Sequence, residues 1–165
     1  MASTAEIITG QKTVVLGVGN TLLSDEGIGV HVVEQLRRSY PVHPAVEFLD
    51  GGTLSFTLVV PLAGADQLII IDAAELRAPP GTVTLFENEA MDHYLCHGNR
   101  RSVHEVSLID LLAIAKLTDS LPPRRALIGI QPHSMEWGES PSAEVAAAIP
   151  AACQMTLELM RKWQE

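Results

Sequence analysis

The chain has few cysteines and aromatic residues and no long apolar run, and each scarcity excludes a class of protein. Its two cysteines, Cys96 and Cys153, form neither a disulfide framework nor a C-x-x-C pair for structural zinc. No apolar stretch reaches the length of a membrane span, and residues 1–12 lack the basic start and apolar core of a signal peptide. We therefore expect a cytoplasmic protein without a membrane anchor.

Basic residues are also scarce. Eleven Lys and Arg stand against 20 Asp and Glu, so the formal net charge is −9 and the pI is near 5.0. Nucleic acids attract dense positive surfaces, so this balance opposes a nucleic-acid partner. The 165 residues are 47% hydrophobic, which is ample for one packed core. We predict a single domain over residues 1–165, with a flexible tail over residues 1–12, and a monomer.

Short apolar runs alternate with helical patterns along the chain. The runs predict strands at 13–18, 45–49, 67–71, 81–87 and 126–130, with 67–71 central and 81–87 at an edge. Helical patterns cover 24–40, 54–62, 102–115 and 142–165, the last interrupted at Pro150, whereas 88–101 reads as polar and irregular. This alternation predicts an α/β fold, a three-layer α/β/α sandwich with a largely parallel, five-stranded twisted sheet. Ligands of such sheets gather outside the carboxyl ends of the strands.

The first strand ends in an incomplete dinucleotide-binding fingerprint. Gly17 and Gly19 match the first two glycines of G-x-G-x-x-G, but Leu22 occupies the third position. Asp25 and Glu26 stand where a phosphate should bind. A nucleotide-binding module is therefore a minor alternative, and it predicts thermal stabilisation by ATP or NAD.

Three ionisable residues are expected at the carboxyl edge of the sheet. Glu26 follows the first strand, Asp72 ends the third, and His104 opens a later helix. Two carboxylates and an imidazole suit zinc, nickel or manganese and leave coordination positions open. The positive end of a helix favours neutral His104, which could then ligate a metal or act as a base. Each residue also has a purely structural interpretation, as a helix-dipole partner, a turn cap or a half-buried histidine.

Other hydrolytic patterns fail. His104 and Glu105 begin like H-E-x-x-H, but Leu108 stands at the second histidine, and no G-x-S-x-G occurs. The segment Q-P-H-S-M-E-W-G after the last strand contains His133 and Trp137. These two residues could line a binding groove or belong to an ordinary loop with an anchoring aromatic.

The run V-L-G-V-G-N-T-L-L-S-D-E-G-I-G-V at 15–30 closely resembles the N-terminal signature of the nickel-iron hydrogenase maturation endopeptidases. The resemblance continues through E-F-L-D-G-G-T at 47–53, L-I-I-I-D-A at 68–73 and S-V-H-E-V-S-L-I-D-L-L at 102–112, and weakly through L-I-G-I-Q-P at 127–132. It spans most of the chain in order.

The resemblance implies both a site and a substrate. The family's metal-contacting residues fall on Glu26, Asp72 and His104, and its D-G-G aspartate falls on Asp50, a candidate for substrate contact or catalytic support. The implied partner is a nickel-iron hydrogenase large-subunit precursor, whose C-terminal extension is removed after nickel insertion. Nickel would be presented by that substrate, and another divalent metal such as zinc could bind the site in vitro. A non-catalytic nickel-binding assembly factor for the same precursor is the alternative.

Overall fold

A five-stranded sheet forms the centre of the protein. The computed structural model describes residues 10–53, 56–97 and 103–165, with the backbone alone for Phe56 and residues 103–107. The strands are β1 (Thr13–Val18), β2 (Val46–Gly52), β3 (Gln67–Ala73), β4 (Val83–Glu87) and β5 (Arg124–Ile130). They lie in the order β2-β1-β3-β5-β4, and only β4 runs antiparallel to its neighbour. The predicted largely parallel sheet, with 81–87 at an edge, is confirmed.

Helices cover both faces of this sheet. They are α1 (Ile28–Ser39), α2 (Val59–Ala63), α3 (Glu89–His97), α4 (Val103–Leu117), α5 (Ala143–Ala146) and α6 (Ile149–Lys162), with short 3-10 turns at Ser24–Gly27 and Phe56–Leu58. One apolar core packs α1 and α6 on the sheet, and a second packs α2, α3 and α4 on the other face. The three-layer sandwich is therefore as predicted. Within the described part of the chain, no helix is long and apolar enough to cross a membrane.

Strand β3 shows why its sequence is a continuous apolar run. Ile69 and Ile71 belong to the core beneath α1 and α6, whereas Leu68 and Ile70 belong to the opposite core. Every residue of the strand is buried. A strand covered on both faces needs apolar side chains at odd and even positions alike, which is the pattern seen in the sequence.

The segment predicted to be irregular, 88–101, contains helix α3, so that prediction was wrong over Glu89–His97. The helix buries only Met91 and Leu95, one turn apart. Its outer side is tied to β5 by a hydrogen bond of 2.9 Å from Arg125 Nε to Asp92 Oδ1. Two buried apolar residues give too weak a pattern to predict a helix from the sequence. Contacts with β4 and β5 stabilise α3.

The remaining helical predictions need small corrections. The helix expected from residue 24 starts with a 3-10 turn, and α1 itself begins at Ile28. The C-terminal helical region divides into α5 and α6, with Pro150 in the first turn of α6 where its missing N–H is tolerated. Cys153, Leu157 and Met160 face the core, as predicted.

Glycines allow α1 to start directly on the carboxyl ends of β1 and β3. A Cβ at Gly29 would lie 2.0 Å from the carbonyl oxygen of Ile71 and 2.6 Å from that of Val18. A Cβ at Gly17 would lie 2.4 Å from the carbonyl oxygen of Gly29. No larger residue fits at either position without moving the backbone. This close approach places the turn before α1 beside the end of β3.

Candidate functional site

Two of the predicted site residues are buried carboxylates at the carboxyl edge of the sheet. Asp72 is the penultimate residue of β3, pairs in register with Gly129 of β5, and is 4% exposed. Glu26 lies in the 3-10 turn between β1 and α1 and is 9% exposed. Carboxylates are seldom buried without a structural or functional reason. The structure therefore places both predicted residues at the predicted edge.

The turn after β1 packs closely against the backbone of Glu26. Gly19 has φ +135°, a conformation that favours glycine, and a Cβ there would lie 1.8 Å from the carbonyl oxygen of Glu26. The N–H of Gly19 donates to the carbonyl of Gly52 over 2.9 Å. The glycines that suggested a phosphate loop in the sequence thus serve the close packing of this turn.

His104 is the third predicted member of the site. It is the second residue of α4, which begins at Val103, so the predicted position at the start of a helix is confirmed. Its side chain lies outside the described part of the structure. Among the side chains that are described, no group of three His, Cys, Asp or Glu is arranged to hold a metal ion. The set of Glu26, Asp72 and His104 therefore remains a prediction.

Asp50 lies at the same edge but on the outer strand β2. It is exposed, and β1 separates its strand from β3. Its Oδ1 accepts a hydrogen bond of 2.8 Å from the N–H of Gly52, which has φ +47°. The side chain thus stabilises the irregular carboxyl end of β2, where the register with β1 shifts. Its role toward a substrate remains a prediction.

Asp25 is a structural centre of the site that the sequence did not reveal. Its fully buried carboxylate accepts hydrogen bonds from the backbone N–H of His133 (2.9 Å), Ser134 (2.8 Å) and Ser142 (2.6 Å), and from Ser142 Oγ (2.8 Å). Burial by itself raises the pKa of this carboxyl, but the hydrogen bonds from Ser134, Ser142 and His133 outweigh it and hold the pKa below its usual value. These hydrogen bonds favour the anionic form of Asp25.

These bonds join the turn before α1 to the β5–α5 loop, residues 131–142. The N–H of Ser24 donates to the carbonyl of Gly138 over 2.8 Å, and the N–H of Gly138 donates to the carbonyl of Leu22 over 2.9 Å. Ser24 Oγ also donates to the carbonyl of Glu136 over 2.8 Å. The loop that carries His133 and Trp137 is therefore attached to the segment that carries Glu26.

Gln131 joins the segment after β3 to the end of β5 by hydrogen bonds. It is 7% exposed, and its Oε1 accepts a hydrogen bond of 2.7 Å from the N–H of Leu76. Its backbone carbonyl accepts another, of 2.9 Å, from the N–H of Gly81. The segment after β3 is thus held against the end of β5. A glutamine directly after a strand has no distinguishing sequence signal, which is why it was missed.

The adjacent acidic residues Asp25 and Glu26 could not be told apart in the sequence. Both follow the first strand at the start of a predicted helix, and only Glu26 was assigned to the site. In a 3-10 turn with three residues per turn, neighbouring side chains point about 120° apart. Consecutive carboxylates can therefore serve different neighbours, and the fold assigns Asp25 to the β5–α5 loop.

Comparison with known proteins defines the class. The family model described as HycI, hydrogenase maturation protease, matches residues 30–159. The hydrogenase 2 maturation protease of Escherichia coli is 36% identical over 152 residues, covering 92% of both chains. The hydrogenase expression/formation protein HoxM of Cupriavidus necator is 36% identical over 151 residues, covering 91% of this chain and 74% of its own. The chain therefore belongs to the hydrogenase maturation protease family, a family of hydrolases.

Solved structures agree with this assignment. The hydrogenase maturating endopeptidase HybD from Escherichia coli superposes with a TM-score of 0.86 at 36% identity, over 92% of this chain and 93% of that one. The [NiFe] hydrogenase maturation protease HybD from Thermococcus kodakarensis gives a TM-score of 0.76 at 29% identity, over 90% and 99%. The resemblance found in the sequence motifs is confirmed at the level of the whole fold.

Proposed function

We propose that this protein is the endopeptidase that removes the C-terminal extension of a nickel-iron hydrogenase large-subunit precursor after nickel insertion. The observation that carries the proposal is the pair of buried carboxylates, Glu26 and Asp72, at the carboxyl edge of the sheet. Two relatives support the reaction and the substrate class by their names, an endopeptidase from Escherichia coli and a [NiFe] hydrogenase maturation protease from Thermococcus kodakarensis.

In this proposal, Glu26, Asp72 and His104 recognise the nickel that the precursor already holds. Two carboxylates and an imidazole suit nickel or zinc by donor type, and a cation stabilises carboxylates that are withdrawn from water. Three protein ligands leave positions that thiolates of the substrate can fill. A precursor without nickel then lacks the group that these residues bind, and it is spared.

The cleavage itself is a hydrolysis. Water adds to the scissile carbonyl carbon, the carbon–nitrogen bond breaks, and the proton lost by the water reaches the departing amine. A carboxylate of the site, Glu26 or Asp72, accepts that proton and passes it on. Nickel in the substrate would supply polarisation of the water or carbonyl. Asp50, at the same edge, is the candidate for contact with the substrate backbone.

The alternative is an assembly factor that binds nickel-loaded precursor without cutting it. Intact-mass measurement separates the two functions when purified nickel-loaded precursor is incubated with this protein and with its His104→Ala variant. The peptidase shortens the precursor and releases a peptide, and the variant does not. An uncut precursor with both proteins favours the assembly factor. A thermal shift with ATP or NAD would instead favour a nucleotide-binding module.

We further propose a cytoplasmic monomer that meets its precursor transiently. The acidic composition supports this, because a net charge of −9 on 165 residues opposes self-association. Light scattering of the purified protein tests it, since a dimer would double the measured mass.

A further inference from the structure

Two exposed apolar residues lie on neighbouring segments of the backbone next to the candidate site. Leu23 and Gly138 form a parallel β-bridge, which puts Leu22 opposite Trp137. Trp137 is 82% exposed and Leu22 is 49% exposed, whereas Leu23 is half-buried. We call this pair the Leu22–Trp137 patch.

Hydrogen bonds between the turn before α1 and the β5–α5 loop hold the patch in place. Asp25 accepts four hydrogen bonds from the β5–α5 loop, and its own N–H donates to the carbonyl of Ser134 over 3.0 Å. Trp137 lies between Glu136 and Gly138, whose backbone carbonyls both accept hydrogen bonds from Ser24. The loop is therefore held by hydrogen bonds on both sides of Trp137, while the tryptophan side chain is exposed to solvent. Exposed aromatic side chains on such segments are common anchors for a protein partner.

The negative charge around the patch indicates what kind of partner segment it can bind. The β5–α5 loop has no Lys or Arg, and Glu136 and Glu139 on it are exposed. An apolar surface rimmed by carboxylates complements a segment that has both apolar and basic side chains.

We infer that the Leu22–Trp137 patch docks an apolar, basic segment of the large-subunit precursor and so holds the scissile bond near Glu26 and Asp72. This inference rests on the proposed function and adds to it a specificity surface outside the carboxylate site. The patch is close to that site along the chain, because Leu22 precedes the 3-10 turn Ser24–Gly27 that holds Glu26, and Asp25 in that turn anchors the loop.

Binding and cleavage measured together test the patch. Leu22→Ala and Trp137→Ala are compared with Leu117→Ala, which removes an exposed apolar side chain at the far end of α4. Titration calorimetry with nickel-loaded precursor compares Asp72→Asn alone with Asp72→Asn combined with each of these changes. The precursor stays uncut in all of them, and any loss of nickel binding through Asp72 is common to all. We expect Trp137→Ala to weaken binding at least tenfold and Leu22→Ala several-fold, with Leu117→Ala within twofold. In cleavage assays without the background change, the loss should appear in KM.

The charged rim is tested by Glu136→Lys with Glu139→Lys, against Glu158→Lys on the exposed side of α6. We expect the double variant to lose at least fivefold in affinity at low salt and the control less than twofold. If the patch variants bind as well as the parent, or no less well than their controls, the inference is overturned. Cleavage by the parent would then still support the proposed function. A parent that neither binds nor cuts the precursor would refute the proposed function, and the inference with it.

Discussion

Asp25 and Glu26 are adjacent carboxylates that face different parts of the fold. Asp25 is completely buried and holds the β5–α5 loop through hydrogen bonds to three backbone amides and a hydroxyl. Glu26, one residue later, lies beside the end of β3. A charge that is withdrawn from water is tolerated when it accepts several hydrogen bonds, and Asp25 meets this condition.

Replacement of Asp25 by Asn should therefore destabilise the protein. An amide has one acceptor oxygen, and its NH₂ group would face the amides that now donate to the carboxylate. We expect Asp25→Asn to lower the free energy of unfolding by about 3 kcal/mol. Urea denaturation measures this loss, with Asp110→Asn on the exposed side of α4 as the control. Equal stability of the two variants would contradict the anchoring role.

His31 on α1 gives a pH-dependent prediction. Its Nε2 is buried and has no hydrogen-bond partner among the described residues. Burial, and then the charge of Arg38, lower the pKa of His31 from its ordinary 6.5. Well above pH 6.5 the histidine is neutral in both the folded and the unfolded protein. As the pH falls from there through the lowered pKa, the unfolded chain takes up a proton that the folded protein resists, so stability is lost.

The measurement compares urea unfolding of the parent and His31→Gln at about pH 7.5 and about pH 5. We expect the parent to lose more stability between these two conditions than the variant, because glutamine does not titrate. All other histidines are shared by both proteins and cancel in the comparison. Equal losses would show that His31 is not shifted by its surroundings.

At the scale of elements, the position of α1 depends on glycine. Gly29→Ala would place a methyl group 2.0 Å from the Ile71 carbonyl, and the obstacle is backbone that cannot rotate away. We expect a loss of about 3 kcal/mol or more in the free energy of unfolding, together with displacement of the turn that holds Glu26. Gly64→Ala is the matched control, because its nearest neighbour would be Lys12 Nζ at 3.7 Å. Thermal denaturation should leave the control within about 1 kcal/mol of the parent.

The elements that could be predicted from the sequence are those with a strong local signal. The run Q-L-I-I-I predicts a central buried strand, and β3 is one because both of its faces are covered. Helix α3 could not be predicted in this way, since it has only two buried apolar residues and is stabilised by its contacts with β4 and β5. Pro150 was expected to interrupt the last helix, and it marks the first turn of α6.

For the whole molecule, the fold explains which part of the site was predictable. Parallel strands end at one edge, so the segment that follows β1 and the end of β3 could be placed together from strand positions alone. Asp25 and Gln131 could not be found, because their partners lie in loops 108 to 117 and 55 residues away in the sequence. Such distant pairing leaves no local pattern.

The central claim is that the carboxylates of this site cut a precursor only when it holds nickel. The most direct measurement is the intact mass of nickel-loaded precursor, and of nickel-free precursor with excess zinc, after incubation with the parent and with Asp72→Asn. We predict that the parent removes the C-terminal extension from the nickel-loaded precursor alone, and that Asp72→Asn removes it from neither. Efficient cleavage of the nickel-free precursor with zinc would contradict nickel recognition, and full cleavage by Asp72→Asn would contradict the assigned site.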